Sequence, residues 1–280
     1  MHNINTQENM PRTNLEIKVL FCYSPEFLTN TYHNINELEA DNQKLCDITQ
    51  EILKTNVVSH KISLIKVMDF QFATLQKKWG KRYPALSIQD NISLVESPAD
   101  PSLFNKWKYG SLPKLLVKTK EVLQATIVVL QTVLSDRVTS YNRNPLGVAC
   151  KIGITQPEET FVVLSRKTKL KGKLTADMSP TILAHEFGHL MGCRHPYGAG
   201  FGLDPNLSRS HGHMVRDKNG NAVVGTIMSY ASTRILYYSN PTLFAYPNKY
   251  QNIPCGVVDE SEAYLTVNNN IKKLAGVFTS

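Results

Sequence analysis

Three features of the amino-acid sequence predict an α+β fold, a mixed twisted sheet covered by helices. Two alternating apolar segments, Leu15–Tyr23 and Lys61–Asp69, flank a long stretch of helical periodicity. A short β-branched run, Ala125–Leu130 (ATIVVL), has the composition of a strand buried on both faces. Further strand-like and helix-like segments then follow in an order that fits helices packed on a sheet. The 280 residues are 42% hydrophobic and 19% charged, which permits a buried core and excludes a disordered, collagen-like or coiled-coil chain.

The elements follow in order. Residues 1–14 are polar and read as a tail. Leu15–Tyr23 alternates and then runs apolar, as a buried first strand does, and Ser24-Pro25 ends it. Leu38, Leu45, Ile48, Ile52 and Leu53 recur at helical spacing, so a long amphipathic helix is expected over about 34–55. Lys61–Asp69 is the second strand. Residues 70–111 hold both tryptophans, Trp79 and Trp107, and read as helix fragments and loops. Pro113–Gln124 is a helix candidate with proline near its first turn. Strands follow at Ala125–Leu130, Gly147–Gly153 and Phe161–Ser165, then a helix over 178–191. An irregular stretch rich in Gly, Pro, Asn and Ser occupies 196–257, and a closing helix Asp259–Phe278 ends the chain.

Lys and Arg number 31 against 23 Asp and Glu, a formal charge of +8 that permits an anionic partner without naming one. Five cysteines are too few, and odd in number, for a disulfide framework. The N-terminal residues lack the apolar core of a secretory signal, and no run of about 18 apolar residues marks a transmembrane helix. Short basic-aromatic runs at 77–83 (KKWGKRY) and 106–109 (KWKY) are read as solvated faces, so no nucleic-acid partner is expected.

The chemistry concentrates in residues 185–196, HEFGHLMGCRHP. His185 and His189 lie four apart and share one face of a helix, where two imidazoles can grip one metal ion. Glu186 lies beside them, positioned to reach a metal-held water without ligating the ion. Gly192 allows a left-handed residue to reverse the chain and return His195 as a third ligand. Three neutral nitrogens leave one zinc position open, the pattern of a catalytic site. A lone HExxH arises often by chance. With Gly192 and His195 also fixed, chance supplies the pattern in a chain of this length roughly once in ten thousand. His211 and His213 (SHGH) could bind a second metal, but a loop histidine pair is more often solvent-exposed or hydrogen-bonded locally, and that is the reading preferred for them.

The extended motif resembles the metzincin clan of zinc endopeptidases. The sequence TIMSY at 226–230 resembles that clan's methionine turn, with Met228 as the turn methionine and Tyr230 as the tyrosine that astacin-like and serralysin-like members place near the zinc. Leu15–Pro25 resembles the clan's first strand. Ala125–Leu130 with Leu146–Gly153, and Arg234–Pro241 (RILYYSNP), resemble segments of reprolysin-like bacterial members and peptidyl-Asp metallopeptidases. Pro196 after the third histidine is serralysin-like, yet the calcium-binding repeats of serralysins are missing, so the subfamily stays open.

The resemblance implies a zincin-like metzincin fold with an N-terminal catalytic subdomain, 15–195, and a C-terminal subdomain, 196–280, holding the methionine turn. It implies one catalytic Zn2+ on His185, His189 and His195, with Glu186 as general base and acid. Tyr230 would be a resting ligand or an oxyanion donor, and Met228 a support beneath the histidines. A protein or peptide substrate would bind extended along an edge strand at Gly147, Val148 and Ala149, and a monomer is expected. The rivals are a zinc hydrolase of a non-peptide amide and a catalytically silent binding protein; an intact Glu186 weighs against the second. With no inhibitory propeptide ahead of residue 15, export by a signal-independent route, for instance injection into a host cell, is the expected localisation, with the cytoplasm as the alternative.

Overall fold

A computed structural model describes residues 13–23, 25–71, 119–131, 147–164, 168–170, 173–175, 180–196, 209–217, 219–231, 233–244 and 253–278. The polar tail up to residue 12, both tryptophans, the two basic-aromatic runs and the first part of Pro113–Gln124 lie outside these residues. The last turn of that candidate helix, 119–122, is helical. Among the described residues no helix is long and apolar enough to cross a membrane.

Strand β1 (Thr13–Tyr23) runs parallel to β2 (His60–Gln71) on one side and to β3 (Ile127–Gln131) on the other. Its central place explains its composition: Ile17, Val19, Leu20, Phe21 and Cys22 are all fully buried, as a strand covered on both faces must be. β5 (Phe161–Leu164) pairs parallel with β3, and the short β4 (Gly147–Ala149) pairs antiparallel with β5. The sheet order is therefore β2-β1-β3-β5-β4, mixed as the sequence predicts, with β4 at one edge.

Helix α1 (Pro25–Thr31) follows β1, and α2 (Ile35–Asn56) crosses over to β2. α2 starts at Asn34, whose side chain accepts the Glu37 N–H at 3.1 Å, while the Glu37 carboxylate takes the His33 N–H. That reciprocal cap satisfies donors that the first turn would otherwise leave open. Its inner face buries Leu38, Leu45, Ile52 and Leu53, and Asn56 at its end ties in the distant segment 236–238: its amide donates to Leu236 O and its Oδ1 accepts the Tyr238 N–H.

The chain then forms hairpins β6–β7 (Thr168–Leu170, Lys173–Thr175) and β8–β9 (Met214–Arg216, Ala222–Gly225), and the ladder β10–β11 (Asn240–Phe244, Pro254–Cys255). Between them stands α3 (Ile182–Met191), and α4 (Ala263–Leu274) closes the fold. One apolar core joins β1, β3, β5, α2, α3 and α4 with Met228 and Tyr238. All five cysteines are free thiols, and Cys255 is buried in a separate small cluster with Val215 and Val224.

Two expectations give way to strands: β1 begins at Thr13, inside the stretch expected as a tail, and the stretch 196–257 expected to be irregular carries β8 to β11. Three further boundaries move, each for a visible reason. The strand expected over Gly147–Gly153 ends at Ala149, because the chain there leaves the sheet to serve the end of α3: Gly153 N–H donates to His189 O and Ile154 N–H to Leu190 O. The helix expected over 178–191 starts at Ile182, and Pro180 lies outside its first turn. The closing helix starts at Ala263 rather than Asp259, since Asp259 has a positive φ and its N–H is taken by the Glu262 carboxylate.

Candidate metal centre

Every residue of α3 is buried, so its two imidazoles leave water when the helix docks against α2, α4 and β4. Gly192 ends the helix at φ +106°, in the left-handed region that favours glycine. The turn satisfies two carbonyls, with Gly192 N–H donating to His189 O and Cys193 N–H to Gly188 O. Three residues later His195 Nε2 arrives 3.1 Å from His185 Nε2 and 3.0 Å from His189 Nε2. His185, His189 and His195 form the one group of three potential metal ligands among the described residues, their ligand atoms all within 4.8 Å of one another.

The fit to a metal ion can be tested on the ring nitrogens. His185 Nδ1 lies 2.7 Å from Ile227 O, and His189 Nδ1 lies 2.8 Å from Cys193 O. A carbonyl accepts only, so both rings carry their proton on Nδ1 and turn the Nε2 lone pair toward the cluster. Lone pairs converging from these two rings repel unless a proton or a cation stands between them, and His195 Nε2 completes the set of three nitrogens. A tetrahedral ion about 2.0–2.1 Å from each nitrogen needs nitrogens roughly 3.3 Å apart, close to what is found. The donor set fits zinc.

Electrostatics agree with neutral imidazoles. Burial pushes His185 well below the ordinary histidine range, with His189, Arg234 and His195 adding to it. Burial also takes His189 down to about 4 and His195 to about 3.

Glu186 is 2% exposed, and burial raises its carboxyl to about 8, against the Ala149 backbone hydrogen bond and the Arg234 charge. Its Oε1 rests on edge strand β4: a Cβ at Gly147 would lie 2.5 Å from it. Oε2 is buried and finds no hydrogen-bond partner among the described residues. A carboxyl raised from 4.5 to about 8 in the fold disfavours folding increasingly as pH rises through that interval. The metal-free Glu186→Gln variant should therefore gain thermal stability over the metal-free wild type as pH rises from about 5 to 8, by up to about 1.4 kcal/mol per pH unit. Melting curves in chelator across that range check it; a pH-independent difference excludes it.

Tyr230 is half exposed, and its hydroxyl lies 2.5 Å from His195 Nδ1, the ring nitrogen facing away from the cluster. In this conformation the phenol orients the third histidine. Met228 is fully buried beneath α3, with its sulfur against Gly188. Gly147, Val148 and Ala149 form the edge strand beside Glu186. His213 is half-buried and its backbone pairs with Thr226, whereas His211 is buried with its Nδ1 on His195 O.

Four residues in this neighbourhood are given no part in the three-histidine site by the sequence. Arg234 is largely buried, its charge acts on His185, Glu186, His195 and Tyr230, and its Nε and Nη1 find no hydrogen-bond partner among the described residues. Tyr238 is fully buried and donates to Ala184 O at 2.6 Å. Gly188 and His211 complete the set. Arg234 and Tyr238 lie in the segment RILYYSNP, so their position was marked although their contacts were not.

Residues 123–244 match the family Reprolysin_5, described as Metallo-peptidase family M12. That span is less than half of the chain and contains all three histidines and Glu186. A search of curated proteins returned no match. Among solved structures, one titled "Structure of a chaperone-substrate complex" matches 94% of this chain with a TM-score of 0.56 and 17% identity. This chain spans 35% of that protein's chain, and the likeness is one of fold. Over 123–244, then, the chain is similar to an M12 metallopeptidase, and the three-histidine cluster in that span suggests a zinc peptidase.

Proposed function

We propose that the chain is a zinc-dependent metalloendopeptidase with the metzincin arrangement. The observation that carries this reading is the convergence of three Nε2 atoms, two of them on rings fixed from behind by carbonyls, beside a buried carboxylate on an edge strand. His185, His189 and His195 would hold the ion. When bound, zinc supplies a Lewis acid that polarises a carbonyl and lowers the pKa of water toward about 7.

The remaining work falls to side chains and backbone of this protein. Glu186 accepts the proton of the attacking water and passes it to the leaving amine, a role for which a buried, partly unsatisfied carboxylate is suited. Among the described residues β4 has a free edge, so an extended peptide can add to it as a further strand, its scissile bond next to Glu186. Gly147 leaves the space that Glu186 needs there. Tyr230, released from His195, can swing to donate a hydrogen bond to the developing oxyanion. In this reading the cleft separates an upper part, 15–195, from a lower part, 196–280.

The test is metal removal and return. The purified chain should carry about one zinc per molecule and cleave an unstructured protein. It should lose cleavage in dipicolinate and regain it on adding zinc in stoichiometric amount. Cleavage that persists in the metal-free protein would overturn the proposal.

A further inference from the structure

We infer that His211 is a positioning residue for the third metal ligand. The inference rests on the proposed reading in one respect, that His195 holds the ion. His185 and His189 are fixed by a helix, but His195 lies beyond it, past the left-handed Gly192, and belongs to no helix or named strand. Its place must come from tertiary contacts.

Tyr230 meets the His195 ring, and the segment 210–212 holds its backbone. Arg194 N–H donates to Ser210 O at 2.8 Å and Gly212 N–H to Arg194 O at 2.8 Å, a strand-like bridge alongside the third-ligand segment. Within that bridge the His211 ring, 5% exposed, sets its Nδ1 2.7 Å from His195 O. The carbonyl can only accept, so His211 donates and carries its proton on Nδ1.

His211 is itself anchored. Its carbonyl accepts the Ser239 hydroxyl, and Ser239 Oγ accepts the Ala263 N–H at 2.9 Å, where α4 begins. On the opposite side a Cβ at Gly212 would lie 2.8 Å from the backbone and Cβ of Met228, so the segment is wedged between the methionine turn and His195. A relay thus runs from α4 through Ser239 and His211 to the backbone of His195. A donor placed behind a metal ligand typically changes metal affinity by about ten- to a hundred-fold when removed.

Zinc affinity by chelator competition and the visible spectrum of the cobalt(II) form test the assignment on the full chain. His211→Phe, which keeps the ring volume and loses the donor, should weaken zinc about ten- to a hundred-fold and alter the cobalt spectrum. His211→Asn, which returns an N–H near the Nδ1 position, should recover most of the affinity. Equal losses in both variants, or none in His211→Phe, overturn the inference. Should His211→Phe fail to fold, 15N–1H imidazole spectra of the wild-type chain, assigned by the signals lost in His211→Asn, decide it: a proton on Nδ1 supports the role, and one on Nε2 overturns it. His195→Ala separates this from the broader reading. Unchanged zinc affinity there sinks both; loss there with none in His211→Phe sinks this inference alone.

Discussion

Glu186→Gln is expected to keep its zinc while kcat/KM on a peptide substrate falls by about a hundred- to ten-thousand-fold, the range for loss of a general base. The substitution is nearly isosteric. The amide oxygen can still accept the Ala149 hydrogen bond and rest against Gly147, so β4 and α3 keep their packing. What the amide cannot do is take a proton. No imidazole of the cluster loses its carbonyl partner, since these come from Ile227 and Cys193. Metal analysis beside steady-state kinetics on a peptide mixture separates the two effects. A variant that cleaves at the wild-type rate removes Glu186 from the mechanism; one that has lost its zinc shows that the carboxylate serves the site's structure. Mapping new N-termini in a cell extract, wild type against this variant, would then identify the substrates.

The parts of the site legible in the sequence were those in which the side chain itself is the chemistry. His185, Glu186, His189 and His195 were visible as a spacing, and Gly192 as a backbone requirement. β1, α2 and β3 were legible because each buries a whole face or both faces, so periodicity reports burial directly, and β2 was legible through its buried Ile62 and Leu64. What orients the ligands was hidden. Ile227 and Cys193 act through carbonyls, which any residue could provide, so residue type carries no signal there. The strands β6 to β11 are two to five residues long, too short for a period to register. Gly147–Gly153 misled because its end obeys α3 rather than the sheet. Tyr230 was legible as a residue of the site but not in its direction, which depends on where His195 turns its outer nitrogen.

Gly188 leads to the second large effect. Glycine inside a helix costs about 1 kcal/mol relative to alanine, so Gly188→Ala would stabilise α3 if space allowed. It does not: the added Cβ would overlap Met228 Sδ and lie 2.9 Å from Tyr238 Cε1. Both neighbours are fully buried, and Tyr238 is held by its hydrogen bond to Ala184 O, so the methionine must move. Overpacking of this kind costs about 1–3 kcal/mol, and Gly188→Val should cost more. Met228 follows Ile227, whose carbonyl fixes the His185 ring. A shift that relieves the clash therefore disturbs the ligand set, and zinc affinity should fall together with the melting temperature. Met228→Ala alone should destabilise by about 2–5 kcal/mol through the cavity it leaves. In the double variant the alanine methyl enters that cavity, so the loss should be smaller than the sum by about 0.5–3 kcal/mol. Denaturant melts of the four proteins, with and without zinc, measure that coupling. Strict additivity would mean that Gly188 is not the space that lets the methionine turn reach the histidines.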